Sequence, residues 1–178
     1  MEGAESRTYT SCVPKVINVR QASLTKGSVD QIQAALQVVA GSITQVRVHE
    51  RLLHAAGVRL DRAASALLYK LHTFGDSLRV TDLADLLGVD TPTVTRKIQQ
   101  LEREKLVTRQ ADSYDRRATR ISLTAAGRNT LEKILKARLE WLDGLVADWD
   151  QADRTDFARL LAKFAAVLQD DIEDPRDD

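Results

Sequence analysis

TDLADLLGVDTPTVTRKIQQL, residues 81–101, decides how this chain folds. Ala84 is small enough for two helices to cross closely, Gly88 four positions later supplies a turn, and Val94 six further on anchors a second helix. A small residue, a turn glycine and an apolar anchor at these intervals are what a helix-turn-helix requires. Thr81 is placed to cap the first helix. Thr91 is placed to cap the second, with Pro92 at the first helical position, where its missing N–H does no harm. At about 100° per residue, Val94, Ile98 and Leu101 share a sector about 60° wide. The opposite face then carries Arg96, Gln99, Gln100 and Arg103, with Thr93 and Thr95 beside Thr91 in the first turn.

Those outward groups have the chemistry of DNA recognition. Arginine bonds bidentately to guanine and glutamine to adenine in the major groove. Threonine hydroxyls and helix N-terminal N–H groups suit phosphate oxygens. Thr81, Thr91, Thr93, Thr95, Arg96, Gln99, Gln100 and Arg103 are therefore candidate DNA-binding residues. Arg96 and Gln100 lead, because they lie in the half of the helix that enters a groove first. An ordinary solvated helix face also favours Arg and Gln, so the next segment has to separate the two readings.

That segment is DSYDRRATRISLT, residues 112–124, with Arg116, Arg117 and Arg120 in five positions. Asp112, Ser113 and Asp115 are turn formers, and Arg120 to Leu123 alternates polar with apolar, the period of a half-buried strand. LVTRQ (106–110) and TRISL (119–123) make a hairpin whose tip carries Arg116 and Arg117. A helix-turn-helix followed by a hairpin is a winged helix. With the second helix in a major groove, the wing reaches the adjacent minor groove, whose negative potential favours an inserted arginine. Asp115 orients Arg117 in this reading, through an exposed pair worth little in stability.

Outward from this centre, the chain divides by pattern. Residues 1–27 form a polar arm with Pro14, Gly27 and the short VPKVINV. Val29, Ile32, Leu36, Val39, Ile43 and Val46 step by three and four along one helix that ends near Gly57. Asp61 caps a second helix, RAASALLYKLHTF, closed by Gly75. Thr124 caps a helix running through Leu131, Leu135, Leu139, Leu142, Val146 and Trp149, and a last helix carries Phe157, Leu160, Leu161, Phe164, Leu168 and Ile172. A seam on a helix of about 28 residues is longer than a small monomer core needs. The expected organisation is a mostly α protein with a small β-hairpin wing: an arm over 1–27, dimerisation helices over 28–60 and 124–173, a winged helix-turn-helix over 61–123, and an acidic tail over 174–178.

Charge follows the same division. The 178 residues hold 26 basic and 26 acidic side chains, yet residues 91–128 hold nine Lys/Arg against four acids and residues 129–178 seven against thirteen. A basic block beside an acidic tail is the asymmetry of a polyanion-binding module, although two solvated faces of opposite charge would also produce it. Cys12 is the single cysteine, so no intrachain disulfide can form and a reducing cytoplasm fits. No stretch approaches the ~18 apolar residues of a membrane span.

Enzyme motifs are missing: there is no glycine-rich phosphate loop, nucleophile elbow or HExxH pair. His49, His54 and His72 are too few and too irregularly spaced for a metal site, and no cofactor is expected. Tyr69, His72 and Phe74 end their helix where a small-molecule pocket would lie beside the winged helix, although aromatic residues at helical spacing more often belong to a core.

The stretch TVTRKIQQLEREKLVTRQADSYDRRATRISLTAAG, residues 93–127, resembles the core of the MarR family of transcriptional regulators, and helix order extends the likeness loosely over 29–172. The resemblance implies a winged-helix homodimer whose first, fifth and sixth helices interlock. Such a regulator binds a pseudo-palindromic operator in double-stranded DNA, usually represses, and is released by a phenolic or lipophilic effector or an oxidant. It carries over Thr93, Thr95 and Arg96 as DNA contacts and Asp115 with Arg117 as the wing pair. Lys105 replaces the glycine common before "LV", and the arm is longer than usual. Cys12 lies in that arm, away from the first-helix position of peroxide-sensing relatives. Two alternatives remain open: a redox response through Cys12, and a winged helix used for protein–protein contact without DNA.

Overall fold

A computed structural model of the chain describes residues 27–75, 77–111 and 119–173. Cys12 and its arm, the hairpin tip with Asp115, Arg116 and Arg117, and the tail 174–178 lie outside the described residues. The elements run α1 (Ser28–Ile43), α2 (Val46–Ala55), α3 (Arg62–Thr73), β1 (Ser77–Arg79), α4 (Val80–Leu87), α5 (Thr91–Arg103), β2 (Val107–Ala111), β3 (Thr119–Leu123), α6 (Ala125–Leu145) and α7 (Gln151–Glu173). The chain divides between His49 and Glu50 into two units.

In the first unit the expected single helix from Val29 to Gly57 is broken. The Thr44 N–H and hydroxyl both return to the Ala40 carbonyl, at 3.2 and 2.7 Å, and the Gln45 N–H turns to the Ser42 carbonyl at 3.2 Å. Gly41, Ser42 and Thr44 are weak helix formers, and a hydroxyl bonded four residues back competes with the backbone ladder. The apolar period continues across the break, and α2 restarts at Val46. No side chain of α1 is buried, and Val29, Ile32, Leu36, Val39 and Ile43 are all exposed.

The second unit is organised around α3. Asp61 caps it as expected, Oδ1 accepting the Ala64 N–H at 2.7 Å. Ala64, Leu67, Leu68 and Leu71 are fully buried against Leu83 and Ala84 of α4, Val94, Ile98 and Leu101 of α5, Val107, Ile121 and Leu123 of the sheet, and Leu131 of α6. The sheet has three antiparallel strands in the order β1-β3-β2, with Leu78 opposite Ile121 and Val107 opposite Leu123. The hairpin was expected and β1 was not, because three residues are too few to display an alternation. Arg120 holds β1 in place: its Nε donates to Ser77 Oγ at 3.0 Å, and a terminal guanidinium nitrogen donates to the Ser77 carbonyl. Arg120 therefore serves the sheet.

Three element ends differ from expectation. α4 starts at Val80 after Arg79, whose N–H donates to the Asp82 carboxylate at 3.2 Å, so Thr81 sits in the first turn and does not cap. α5 is capped by Asp90 in place of Thr91. α6 stops at Leu145 and does not continue to Trp149. There Arg154 of α7 donates to the Ala147 carbonyl at 2.8 Å and the Trp149 carbonyl at 3.3 Å, satisfying carbonyls beyond the helix end. Asp150 then caps α7 through the Asp153 N–H at 2.8 Å.

The junction of α5, hairpin and α6 is tight. The Leu106 carbonyl accepts the Thr124 N–H at 3.1 Å, and the Thr124 hydroxyl lies 3.2 Å from it and 2.7 Å from the Lys105 carbonyl. That hydroxyl also accepts the Gly127 N–H at 3.0 Å and so caps α6. A Cβ on Gly127 would lie 2.0 Å from the Leu106 oxygen, so only glycine fits. Lys105 has φ +58°, with its N–H on the Glu102 carbonyl and the Leu106 N–H on the Leu101 carbonyl, both at 2.9 Å. Gly88 ends α4 with the same pair of bonds.

Two opposite mutational effects follow. Gly127→Ala should cost about 3 kcal/mol or more, since the new methyl meets a backbone carbonyl. Lys105→Gly should gain about 0.5–1 kcal/mol, the left-handed penalty of about 1–2 kcal/mol less the extra entropy of an unfolded glycine. Urea unfolding midpoints of the two variants check both signs.

Candidate nucleic-acid interface

α5 is presented by its two ends and its buried side. At its start the Gly88 turn closes α4, and Asp90 Oδ1 accepts the Thr93 N–H at 2.9 Å. Pro92 sits in the first turn, where no intrahelical donor is lost. Val94, Ile98 and Leu101 are at most 1% exposed, which fixes the rotation of the helix about its axis. Arg96, Gln99 and Arg103 are exposed on the opposite side, within about 60° of one another on the helical wheel. Among the described residues none of these three makes a hydrogen bond or an ion pair. This row can meet a polyanion or a base edge without first breaking a hydrogen bond.

The other expected contacts fall in different places. Thr91 and Thr93 are exposed in the first turn, Thr95 is half-buried on the flank, and Thr81 is exposed in the first turn of α4. Thr93 donates both its N–H and its hydroxyl to Asp90. Gln100 departs from the outward row. It is half-buried, its Oε1 accepts from Lys97 Nζ at 2.9 Å, and its Nε2 donates to Glu104 Oε1 at 3.0 Å. Lys97 also forms an ion pair with Asp61 at the start of α3. Lys97 was not singled out in the sequence, because its partner lies 36 residues away and no local spacing reveals it. Arg109 of β2 pairs with Glu102 at 2.8 Å and ties the hairpin to the end of α5.

Tyr69, His72 and Phe74 are exposed on the last turn and cap of α3, with Lys70 Nζ 5.0 Å from the centre of the Phe74 ring. The opposite end of α3 borders a cavity of about 410 Å³ lined by Leu67, Leu87, Val89 and Val94 with Thr93 and Lys97 at its edge. Among the described residues no three metal-ligating side chains converge.

Two carboxyls at this interface are held below the ordinary aspartate value. At Asp61 partial burial acts to raise the pKa, but the bonds from Lys97 and the Ala64 N–H, with the Lys97 charge, outweigh it. At Asp90 the hydroxyl and N–H of Thr93 lower it, with the Arg96 charge adding in the same direction.

The MarR family model matches residues 60–119, from the start of α3 to the start of β3. YxaD of Bacillus subtilis, an HTH-type transcriptional regulator, is 30% identical over 111 residues, covering 62% of this chain and 77% of that protein. A MarR family protein from Bacillus stearothermophilus superposes with a TM-score of 0.70 at 20% identity, over 83% of this chain and 99% of that one. A Staphylococcus aureus MepR variant bound to an oligodeoxyribonucleotide superposes with a TM-score of 0.55 at 22% identity, over 77% and 97%. The fold shared with these structures is the winged helix.

The depressed carboxyls set a pH dependence. Both native pKa values lie below the ordinary 3.8, so the stability they contribute is complete above that value and is lost as pH falls through the native ones. Asp90→Asn keeps a capping oxygen and removes the charge. Its unfolding free energy should therefore fall less steeply than the wild type's between about pH 5 and pH 2. Urea titrations across that range check it, and parallel profiles for the two proteins would contradict it.

Proposed function

The chain belongs to the MarR family of transcriptional regulators, and we propose that it acts as a homodimer on a pseudo-palindromic operator in double-stranded DNA. In this reading it works in the cytoplasm, represses, and leaves the DNA when a small-molecule effector binds, as members of the family usually do. One observation carries the DNA-binding part: the exposed row of Arg96, Gln99 and Arg103, opposite a stripe that is at most 1% exposed. A helix rotated so leaves guanidinium and amide groups free for base edges in a major groove. The MepR variant bound to an oligodeoxyribonucleotide has the same fold. Arg116 and Arg117, with Asp115 aiming the second of them, would serve the minor groove. Tyr69, His72 and Phe74 are the proposed effector-side residues.

The homodimer is supported by apolar surface that one chain leaves bare. Val29, Ile32, Leu36, Val39 and Ile43 on α1 are 38–75% exposed, and Phe157, Leu160, Leu161, Phe164, Leu168 and Ile172 on α7 are 40–69% exposed. Contiguous apolar patches beyond about 300–600 Å² are rare on monomers. The proposed assignment is that α1, α2, α6 and α7 dimerise and 61–123 binds DNA. No helix among the described residues is long and apolar enough to cross a membrane.

Two measurements test this. The protein should sediment at twice its 19.8 kDa chain mass at micromolar concentration; a well-behaved monomer would contradict the dimer. Arg96→Ala should cost about 1–3 kcal/mol on the operator and relax preference at one base pair per half-site. Arg117→Ala should instead weaken operator and unrelated duplex alike and make the slope of log affinity against log salt shallower by about one. Anisotropy titrations at several salt concentrations separate these outcomes. Wild-type affinity and slope in both variants would contradict the proposed contacts.

A further inference from the structure

Lys97 lies on the flank of α5 that faces α3, with its side chain only 22% exposed. Its ammonium bonds to Asp61 Oδ2, while Oδ1 of the same carboxylate caps α3 through the Ala64 N–H at 2.7 Å. One carboxylate thus joins two helices, at the position where its geometry is already fixed by the cap. The apolar stripe of α5 sets which face of the helix turns outward, but burial is non-directional and defines the helix's slide along its axis and its tilt less closely. A recognition surface needs positioning within about 0.5 Å and 10–20°, and a bond at the flank supplies the missing direction.

The same ammonium reaches Gln100, whose other end is taken by Glu104. A glutamine reads adenine by presenting its oxygen and its amide nitrogen together to the base edge. In Gln100 the oxygen points to Lys97 and the nitrogen to Glu104, so the amide plane lies along the helix. We infer that Lys97 is the positioning residue of α5, locking it to the start of α3 through Asp61 and holding Gln100 out of base reading, so that discrimination falls to Arg96, Gln99 and Arg103. This inference rests on the DNA-reading function proposed above. The depressed Asp61 pKa is consistent with it, since the carboxylate stays charged wherever the protein is folded at ordinary pH.

The test uses the full chain with Asp61→Asn, Lys97→Met, both together, Lys97→Arg, Gln100→Ala and, as a control, Arg96→Ala. Each is titrated with the selected operator and with a scrambled duplex at several salt concentrations, and its melting temperature is recorded. Asp61→Asn retains the cap; it and Lys97→Met should each lower the operator-to-scrambled affinity ratio about tenfold, and the double variant should fall no further, as for two ends of one interaction. Lys97→Arg should recover most of the ratio. The salt slope on scrambled duplex should stay unchanged, and Gln100→Ala should keep the wild-type preference at every base pair. If Lys97→Met fails to fold, Asp61→Asn carries the comparison. A Lys97→Met protein with the ratio intact and a slope shallower by about one would make Lys97 a phosphate contact and overturn the inference. An Asp61→Asn protein that discriminates like wild type, or a loss of preference in Gln100→Ala, would overturn it equally. Loss of preference in Arg96→Ala with none in the Asp61 and Lys97 variants defeats this inference alone; no preference in the wild-type protein defeats the DNA-reading function as well.

Discussion

The DNA-reading face proposed for this molecule depends on the burial of Val94, Ile98 and Leu101 against α3 and α4. Three apolar side chains at steps of four and three leave a helix one stable rotation, with whatever lies opposite turned to solvent. Each such residue contributes about 1.5–3 kcal/mol when fully buried, far more than the Arg96, Gln99 and Arg103 face could recover by packing. The outward row is therefore a consequence of the core. Leu67, Leu68 and Leu71 of α3 receive that stripe on one side and the sheet and α6 on others, so a change in α3 reaches the outward face of α5.

Behind the row stands the junction at Leu106. The segment after α5, the start of the hairpin and the start of α6 meet through hydrogen bonds around Thr124, and Gly127 leaves no space between α6 and the Leu106 carbonyl. The wing and the long helix α6 thus share one fixed point with the reading helix. That arrangement gives a route by which rearrangement of α6 in a dimer would tilt α5. Lys105 occupies the left-handed position at this point, a strained choice where glycine would relax, and it marks the place where this chain departs from the family stretch.

How much could be read beforehand depended on whether the determining contacts were local. The Gly88 turn, the Asp61 and Thr124 caps and the buried face of α5 each rest on residues within about two helical turns of one another, and their pattern is visible in the letters. Choosing Asp90 over Thr91 as the α5 cap was not, because both residue types cap and proline is tolerated at either early position. The break after Ile43 was hidden because the apolar period runs through it undisturbed. β1 depends on Arg120, 43 residues away, and Lys97 on Asp61, 36 residues away; neither pairing has any local spacing. Gln100 shows the same limit at the site itself. Its position on the wheel sends it outward, and only its bonds to Lys97 and Glu104 reveal that its amide is already engaged.

The bare seams of α1 and α7 and the exposed row on α5 belong to one account, in which two copies present two reading helices related by a dyad. Selecting bound fragments from the source genome and mapping protection on them at single-base resolution tests that account most directly. It predicts two half-sites related by inversion, with centres about 10–10.5 base pairs apart or a multiple of that distance, and protection that weakens steeply as salt rises. Protection of a single unsymmetrical site, or recovery of fragments without any shared sequence, would contradict it.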